Sequence, residues 1–236
     1  MIVQQPLACI CIPNYNNENT IRETLDSIVN QTYKNIIIKI FDNASTDGSM
    51  QILSEYESRY SNIYVFQNES NIGGEANFTK CIENMEGEYG AVYHADDIYL
   101  PSMVEEEVGF LQAHRECSAV ATHASEINSQ SQITGERFLP DEFKKLAYII
   151  FDDEVALLKA TLKNGNIITC PSVMARTEIY KDKIQHWNGA DFKTSADLDV
   201  WLRLACFGKF GFLTQPLMNY RLSEASYSYN LARIRT

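Results

Sequence analysis

The first hundred residues alternate short apolar runs with amphipathic helical patterns, and this alternation restricts the fold more than any other feature. Leu7 to Ile12 is an apolar run stopped by Pro13; Ile36 to Phe41, Ile63 to Phe66 and Tyr89 to His94 are three more. Between them, Ile21, Leu25, Ile28 and Val29 form one helical stripe. Ser49 to Tyr60 turn Ile52, Leu53 and Tyr56 to one side, and residues from about Glu75 to Met85 read as a third helix. Thr20 and Glu23 have the spacing of a capping box, in which hydroxyl and carboxylate satisfy each other's orphan amides. Strands alternating with helices imply an α/β fold: a mostly parallel central sheet flanked by helices, with right-handed crossovers.

The second half is less regular. Val104 to Ala113 reads as a helix, Ala119 to Ile127 as a strand, and the polar Ser129 to Gly135 as a loop. Asp152 to Leu162 reads as a helix and Ile167 to Met174 as a strand. Asp197 to Phe207 is a helix with Leu198, Trp201, Leu202 and Ala205 on one stripe. No internal repeat or low-complexity linker divides the chain. The expectation is one domain over residues 1–236, with a nucleotide-binding half to about residue 100 and an acceptor-binding half from about residue 101.

Composition excludes several classes. The chain has 236 residues and 45% hydrophobic content, enough for a sizeable core. A net charge of −11 excludes the basic footprint of a nucleic-acid partner and electrostatic adhesion to anionic lipid. A phosphate ligand must then be neutralised locally, by a metal, by helix N-termini or by a few placed cations. None of the six cysteines forms a C-x-x-C pair, so no zinc site is expected. Cys9 and Cys11 share a strand face and read as reduced core residues, as in the cytosol. No signal peptide and no run of 18 apolar residues appears in the sequence, so no transmembrane segment is expected.

Three stretches carry chemistry. The run Gly90-Ala91-Val92-Tyr93-His94-Ala95 ends in Asp96 and Asp97. Carboxylates at the carboxyl end of a buried strand face the crevice where open α/β sheets bind ligands. Two of them repel unless a cation joins them, and a divalent metal carrying a phosphorylated ligand is the simplest candidate. The plainer alternative is a solvated turn. After the first strand come Pro13, Asn14, Tyr15, Asn16, Asn17 and Glu18. Tyr15 could stack on a base there while the following helix N-terminus favours phosphate, or the stretch is an ordinary loop with Asn caps. After the second strand, Asp42 to Gly48 reads as a tight turn, and Asp42 could also accept the N3–H of uracil or thymine.

Together these stretches resemble family 2 glycosyltransferases. Pro13-Asn14-Tyr15-Asn16 and Asp42-Asn43-Ala44-Ser45-Thr46-Asp47-Gly48 are similar to the family's paired N-terminal motifs. Asn71-Ile72-Gly73, His94-Ala95-Asp96-Asp97 and Asp197-Leu198-Asp199-Val200-Trp201 follow in the family's order and spacing. The resemblance implies a GT-A fold and a metal-dependent, inverting transfer of sugar from a nucleotide donor, UDP-linked first and dTDP-linked next. It implies Asp197 as general base and Asp96 as ligand of Mn2+ or Mg2+, with Asp97 as a further carboxylate or as a cap for the next segment. His94 occupies the place of the motif's first aspartate, a position that contacts ribose or metal. Pro13, Tyr15, Asn16, Asp42, Asn71, Gly73, Asn77, His94, Ala95, Asp96 and Arg221 are the implied donor-binding positions. Asn77 stands where relatives often carry Arg, and Arg221 reads either as a phosphate contact or as a structural ion pair.

The implied acceptor is a growing saccharide, free or lipid-linked, and the implied place cytoplasmic, with a membrane-peripheral position and a homo-oligomer left open. Ile168 to Val173 and Trp187 are expected on the acceptor side, Trp187 as a sugar platform or as a packed aromatic. Departures from the family pattern motivate a rival, a sugar-nucleotide-binding module that transfers nothing. These are His94, Ala196 in place of a Glu before Asp197, and Ser223 and Glu224 where a His often follows the Arg. A nucleotidyltransferase is disfavoured because Pro13 to Glu18 lacks Gly, Lys and Arg.

Overall fold

The first strand, β1 (Ala8–Asn14), is apolar on both faces and therefore needs cover on both. Ala8, Ile10 and Ile12 enter one core, while Cys9 and Cys11 enter the other with their sulfurs 3.8 Å apart. The structure, a computed structural model, describes residues 5–192 and 195–222. The further strands are β2 (Ile36–Asp42), β3 (Ile63–Gln67), β4 (Tyr89–Val92), β5 (Ile98–Tyr99), β6 (Cys117–Ile127), β7 (Ile133–Glu136), β8 (Tyr148–Phe151), β9 (Val173–Arg176) and β10 (Lys209–Arg221). The longer helices are α1 (Ile21–Val29), α2 (Ser49–Arg59), α3 (Gly74–Glu83), α4 (Met103–Ala113), α5 (Glu154–Asn164) and α6 (Ala196–Ala205).

One sheet runs through both halves in the order β3-β2-β1-β4-β9-β6-β10-β5, with β7 added to β6 and β8 to β10. Helices α1, α2 and α4 cover one face and α3, α5 and α6 the other. The sheet is parallel across β3-β2-β1-β4 and again between β6 and β10. Its other pairings are antiparallel, so the parallel character read from the alternation belongs to the first half. The path steps from β1 outward to β3, then returns to place β4 on the opposite side of β1. Such a reversal parts the loops at the carboxyl ends of β1 and β4 and opens a crevice between them.

The second half departs from the sequence reading at several places, among them β8, which the sequence reading lacks. The strand expected over Ile167 to Met174 begins only at Val173, after a 3-10 turn at Cys170–Ser172. Pro171 has no amide to give to a central ladder, so pairing cannot start before it. The expected loop Ser129 to Gly135 contains β7, an edge strand with Ile133 exposed and hence no burial pattern to reveal it. Strand β10 was not anticipated; its register shifts around Pro216 break the period that would mark it.

The capping box also resolves differently. Neither Thr20 nor Glu23 caps α1. Thr20 donates to the Ala95 carbonyl at 3.1 Å, and Glu23 pairs with Arg221. Thr20, Thr24, Ser27 and Gln31 fall at helical spacing and form a second, polar stripe against the turn after β4. Thr24 Oγ1 donates to the Asp97 carbonyl at 2.7 Å, and Ser27 Oγ accepts from Tyr99 N at 3.1 Å. Gln31 donates to the Leu100 carbonyl at 2.8 Å and accepts from Val104 N at 3.0 Å. A turn has no ladder to satisfy its backbone, and here α1 supplies the partners. Thr24→Val keeps the shape but orphans the buried Asp97 carbonyl. It should destabilise the protein by about 1–3 kcal/mol in urea unfolding at an unchanged m-value.

Candidate active site

The turns after β1 and β2 are clasped to each other. Asn14 and Asp42 are register partners at the ends of their strands, and Asn14 Nδ2 donates to Asp42 Oδ1 at 2.8 Å. Ser45 donates to the same carboxylate through its hydroxyl at 2.6 Å and its amide at 2.9 Å. Asn16 Oδ1 accepts from Thr46 N, and its own amide donates to Ser45 Oγ. Asn16 and Ala44 both hold positive φ, 53° and 59°, a conformation rare outside glycine. Asp42 is fully buried inside this clasp, so its observed part is to fix the two turns. Pro13 is half-buried, and Tyr15 projects from the clasp with 44% of its surface exposed.

An asparagine network holds the approach to α3. Asn71 Oδ1 accepts from Gly73 N and from Asn43 Nδ2. Gly73 sits at φ +87°, which a side chain adopts only with strain. Asn43 Oδ1 accepts from Ile72 N and Asn68, and Asn68 receives Lys80 Nζ at 2.6 Å. Asn77 is buried, donating to the Phe41 carbonyl at 2.7 Å and accepting from Asn68. The residue singled out as a polar donor contact therefore ties α3 to β2. Asn68 and Lys80 carry no local sequence signal, because their partners lie nine or more positions away.

The turn after β4 gathers the acidic group. Ligand atoms of His94, Asp96 and Asp97 lie within 4.8 Å of one another. Tyr99 Oη clamps the His94 backbone, accepting from its amide at 2.7 Å and donating to its carbonyl at 3.2 Å. Ala95 is buried and Asp96 half-buried. Asp97 has no exposed surface; Oδ1 accepts from Arg221 N at 2.8 Å, while Oδ2 has no partner among the described residues. His94 Nδ1 stands 3.8 Å from that Oδ2, and its Nε2 is also unpartnered among them. Burial pushes the Asp97 carboxyl well above its usual range, with Asp96 adding to the shift and Arg221 opposing it. Burial lowers the His94 imidazole against the pull of Asp96. Orphaned buried atoms among hard oxygen donors fit a divalent cation, with Asp96 and Asp97 to hold it.

A further carboxylate stands at the start of α6. The half-buried thiol of Cys170 is raised first by desolvation and then by Asp197 and Asp97. Asp197 lies in the first turn of α6 rather than before it, and accepts from Leu198 N at 2.8 Å. Burial raises its carboxyl above the ordinary value, against that hydrogen bond. Trp187 is packed between Phe78 at 4.8 Å and Trp201 at 6.0 Å, and Phe78 also meets the His94 ring edge-on. Asp199 and Arg203 pair at 2.7 Å, and the guanidinium also holds the Ile184 and His186 carbonyls.

Arg221 is committed to protein partners. Its guanidinium donates to the Asp96 carbonyl at 2.7 Å, the Asn128 carbonyl and Ser131 Oγ at 3.0 Å, and Glu23 at 2.6 Å. Of the two readings of Arg221, the geometry is that of the structural ion pair. Ser223 and Glu224, which follow it, lie outside the described residues.

The profile of Glycosyl transferase family 2 matches residues 9–183. TuaG of Bacillus subtilis, provisionally assigned as a teichuronic acid biosynthesis glycosyltransferase, is 29% identical over 227 residues. The match covers 96% of this chain and 83% of TuaG. The fold is similar to S. aureus TarS 1-349 in complex with UDP, with a TM-score of 0.72, 19% identity and 92% of this chain covered. The mannosyltransferase PcManGT from Pyrobaculum calidifontis, solved with GDP-Man and Mn2+, has a TM-score of 0.64 at 16% identity with 99% of this chain covered. The chain spans 61% of the length of each of these two structures.

Arg221→Met should lower stability by about 3 kcal/mol in urea unfolding, because it strips several buried acceptors of one donor. An unchanged midpoint together with weakened nucleotide binding would instead assign the guanidinium to the donor phosphates.

Proposed function

The chain belongs to glycosyltransferase family 2, and on that premise we propose that it transfers a sugar, with inversion, from a nucleotide-sugar donor to a saccharide or lipid-linked saccharide in polysaccharide synthesis. The observation that carries this reading is the cluster of His94, Asp96 and Asp97, whose ligand atoms lie within 4.8 Å of one another after β4. The half-buried Asp197 in the first turn of α6 is a separate carboxylate. Inverting transfer needs both: a place to hold a diphosphate, and a separate carboxylate to take the acceptor proton.

A UDP-sugar is the first candidate donor, supported by the fold shared with UDP-bound TarS. Polysaccharide synthesis is supported by the similarity to TuaG. Exposed Tyr15 would stack on the base, beside Pro13 and Asn16 in sequence. Asp96 and Asp97 would hold Mn2+ or Mg2+, which as a Lewis acid offsets charge on the departing diphosphate. Asp197 accepts the proton of the attacking hydroxyl. Its raised pKa makes it a stronger base than an ordinary carboxylate and delays its ionisation to higher pH. Among the described residues no helix is long and apolar enough to cross a membrane. A cytoplasmic or membrane-peripheral place is part of the proposal.

Asp197→Asn should lower donor turnover by about 10²- to 10⁴-fold while UDP binding persists, and equal loss of both would sink the base assignment. The acidic limb of the wild-type kcat/KM profile should lie above the pH range of an unperturbed carboxylate. Asp96→Ala should abolish metal-dependent UDP binding in calorimetry; the same affinity with Mn2+ present would contradict the metal assignment. Donor hydrolysis by the wild-type chain separates an enzyme from a module that only binds.

A further inference from the structure

His94 stands where a hard cation would be better served by oxygen, and the structure gives its ring no other employment. Nδ1 is 3.8 Å from Asp97 Oδ2, too far for a hydrogen bond. Among the described residues Nε2 is buried and unpartnered, and so is Asp97 Oδ2 on a side chain with no exposed surface. Buried polar atoms without partners are uncommon and call for an explanation. Both side chains contribute a ligand atom to the cluster, within 4.8 Å, that also holds Asp96.

We propose that His94 supplies a nitrogen ligand beside Asp96 and Asp97, and thereby makes the site select a first-row transition ion such as Mn2+ over Mg2+. This rests on the cation held at the crevice in the proposed function and specifies which ion that is. The His94 side chain is held in place: Tyr99 Oη grips its backbone on both sides, and Phe78 meets its ring edge-on at 5.6 Å. The donor atoms all lie within 4.8 Å of one another, whereas opposite ligands with bonds of about 2.1 Å stand about 4.2 Å apart. Small side-chain rotations therefore close the set. Mg2+ takes oxygen donors in strict octahedra and dehydrates reluctantly, while first-row transition ions accept imidazole, Mn2+ the least strongly of them. Replacing one carboxylate of the acidic motif by imidazole also removes a negative charge, which weakens the hold on every ion. What the nitrogen returns, it returns only to ions that bind it well.

The test uses the full chain with Mn2+ and UDP. Pulsed EPR should detect a directly bound nitrogen on Mn2+, which changes from ¹⁴N to ¹⁵N when histidine is isotopically labelled. Asp96→Ala should abolish the bound-Mn2+ spectrum, which localises the signal to this site among the chain's four histidines. Competition with Mg2+ should then show the Mn2+ preference falling about tenfold or more in His94→Asp. Asp96-dependent Mn2+ binding without histidine nitrogen coupling overturns the inference and leaves the transfer reading intact. Failure of Mn2+ to bind at all overturns it as well. Donor hydrolysis measured with EDTA and with Mn2+ reports separately on the transferase reading. The wild-type spectrum decides the matter even if His94→Asp fails to fold, and His94→Gln gives a second variant close in size.

Discussion

The crevice depends on one junction, between Asp97 at the end of the β4 turn and Arg221 at the end of β10. The Arg221 amide donates to the Asp97 carboxylate and its guanidinium to the Asp96 carbonyl, across more than a hundred residues of sequence. The same guanidinium gathers Asn128, Ser131 and Glu23, so a single side chain ties the β4 turn to the β6–β7 hairpin and to α1. From the other side, Thr20, Thr24, Ser27 and Gln31 of the α1 region take the remaining backbone groups of residues 95–104. The acidic group therefore exists only once β10 has docked beside β5 and β6. The first half carries the motif, but the last strand of the sheet completes it.

What the sequence made legible follows from this division. Strands β1 to β4 are buried on both faces or bounded by clear breakers, so their apolar runs announce them, and the acidic pair at the end of one points to the crevice. Strand β10 hides because Pro216 and its register shifts scramble the period, and β7 hides because an exposed edge strand has no burial pattern. Local motifs mislead where residue types serve distant partners. Thr20 and Glu23 fit a capping box, yet both reach across the crevice, and nothing within one helix could have said so. Asn77 reads as a donor contact because relatives often carry Arg there, and Asp42 because it ends a strand. Asn77 bonds the Phe41 carbonyl and Asp42 bonds Asn14 and Ser45, partners too distant in sequence to be read from it, while Tyr15 is exposed.

The turns themselves are rigid by construction. Asn14, Asn16, Asp42, Ser45, Asp47, Glu18 and Ser49 satisfy one another between the two loops, so neither turn can move without unmaking the other. Two residues at positive φ, Asn16 and Ala44, are held there by this mutual bonding. On the proposed reading, a base stacking on Tyr15 would meet a surface already organised, with little ordering entropy left to oppose binding.

Rigidity sets the cost of the buried acids. Asp97 and Asp197 both have carboxyls raised above their unfolded values, chiefly by burial. Between the unfolded and the folded pKa of such a group, the native state holds the proton more tightly than the unfolded chain. Stability is then greatest below the ordinary carboxylate range and declines as pH rises through the raised value. Function as proposed needs both groups ionised, which is the state the empty fold disfavours. A cation among His94, Asp96 and Asp97 reverses the balance for Asp97, since it stabilises the very charge that burial penalises. For Asp197 the Leu198 amide at the start of α6 opposes the effect of burial. The two acids thus differ in their surroundings: Asp97 lies beside Asp96 and His94, where a cation would offset its charge, while Asp197 meets only the amide at the start of its helix among the described residues.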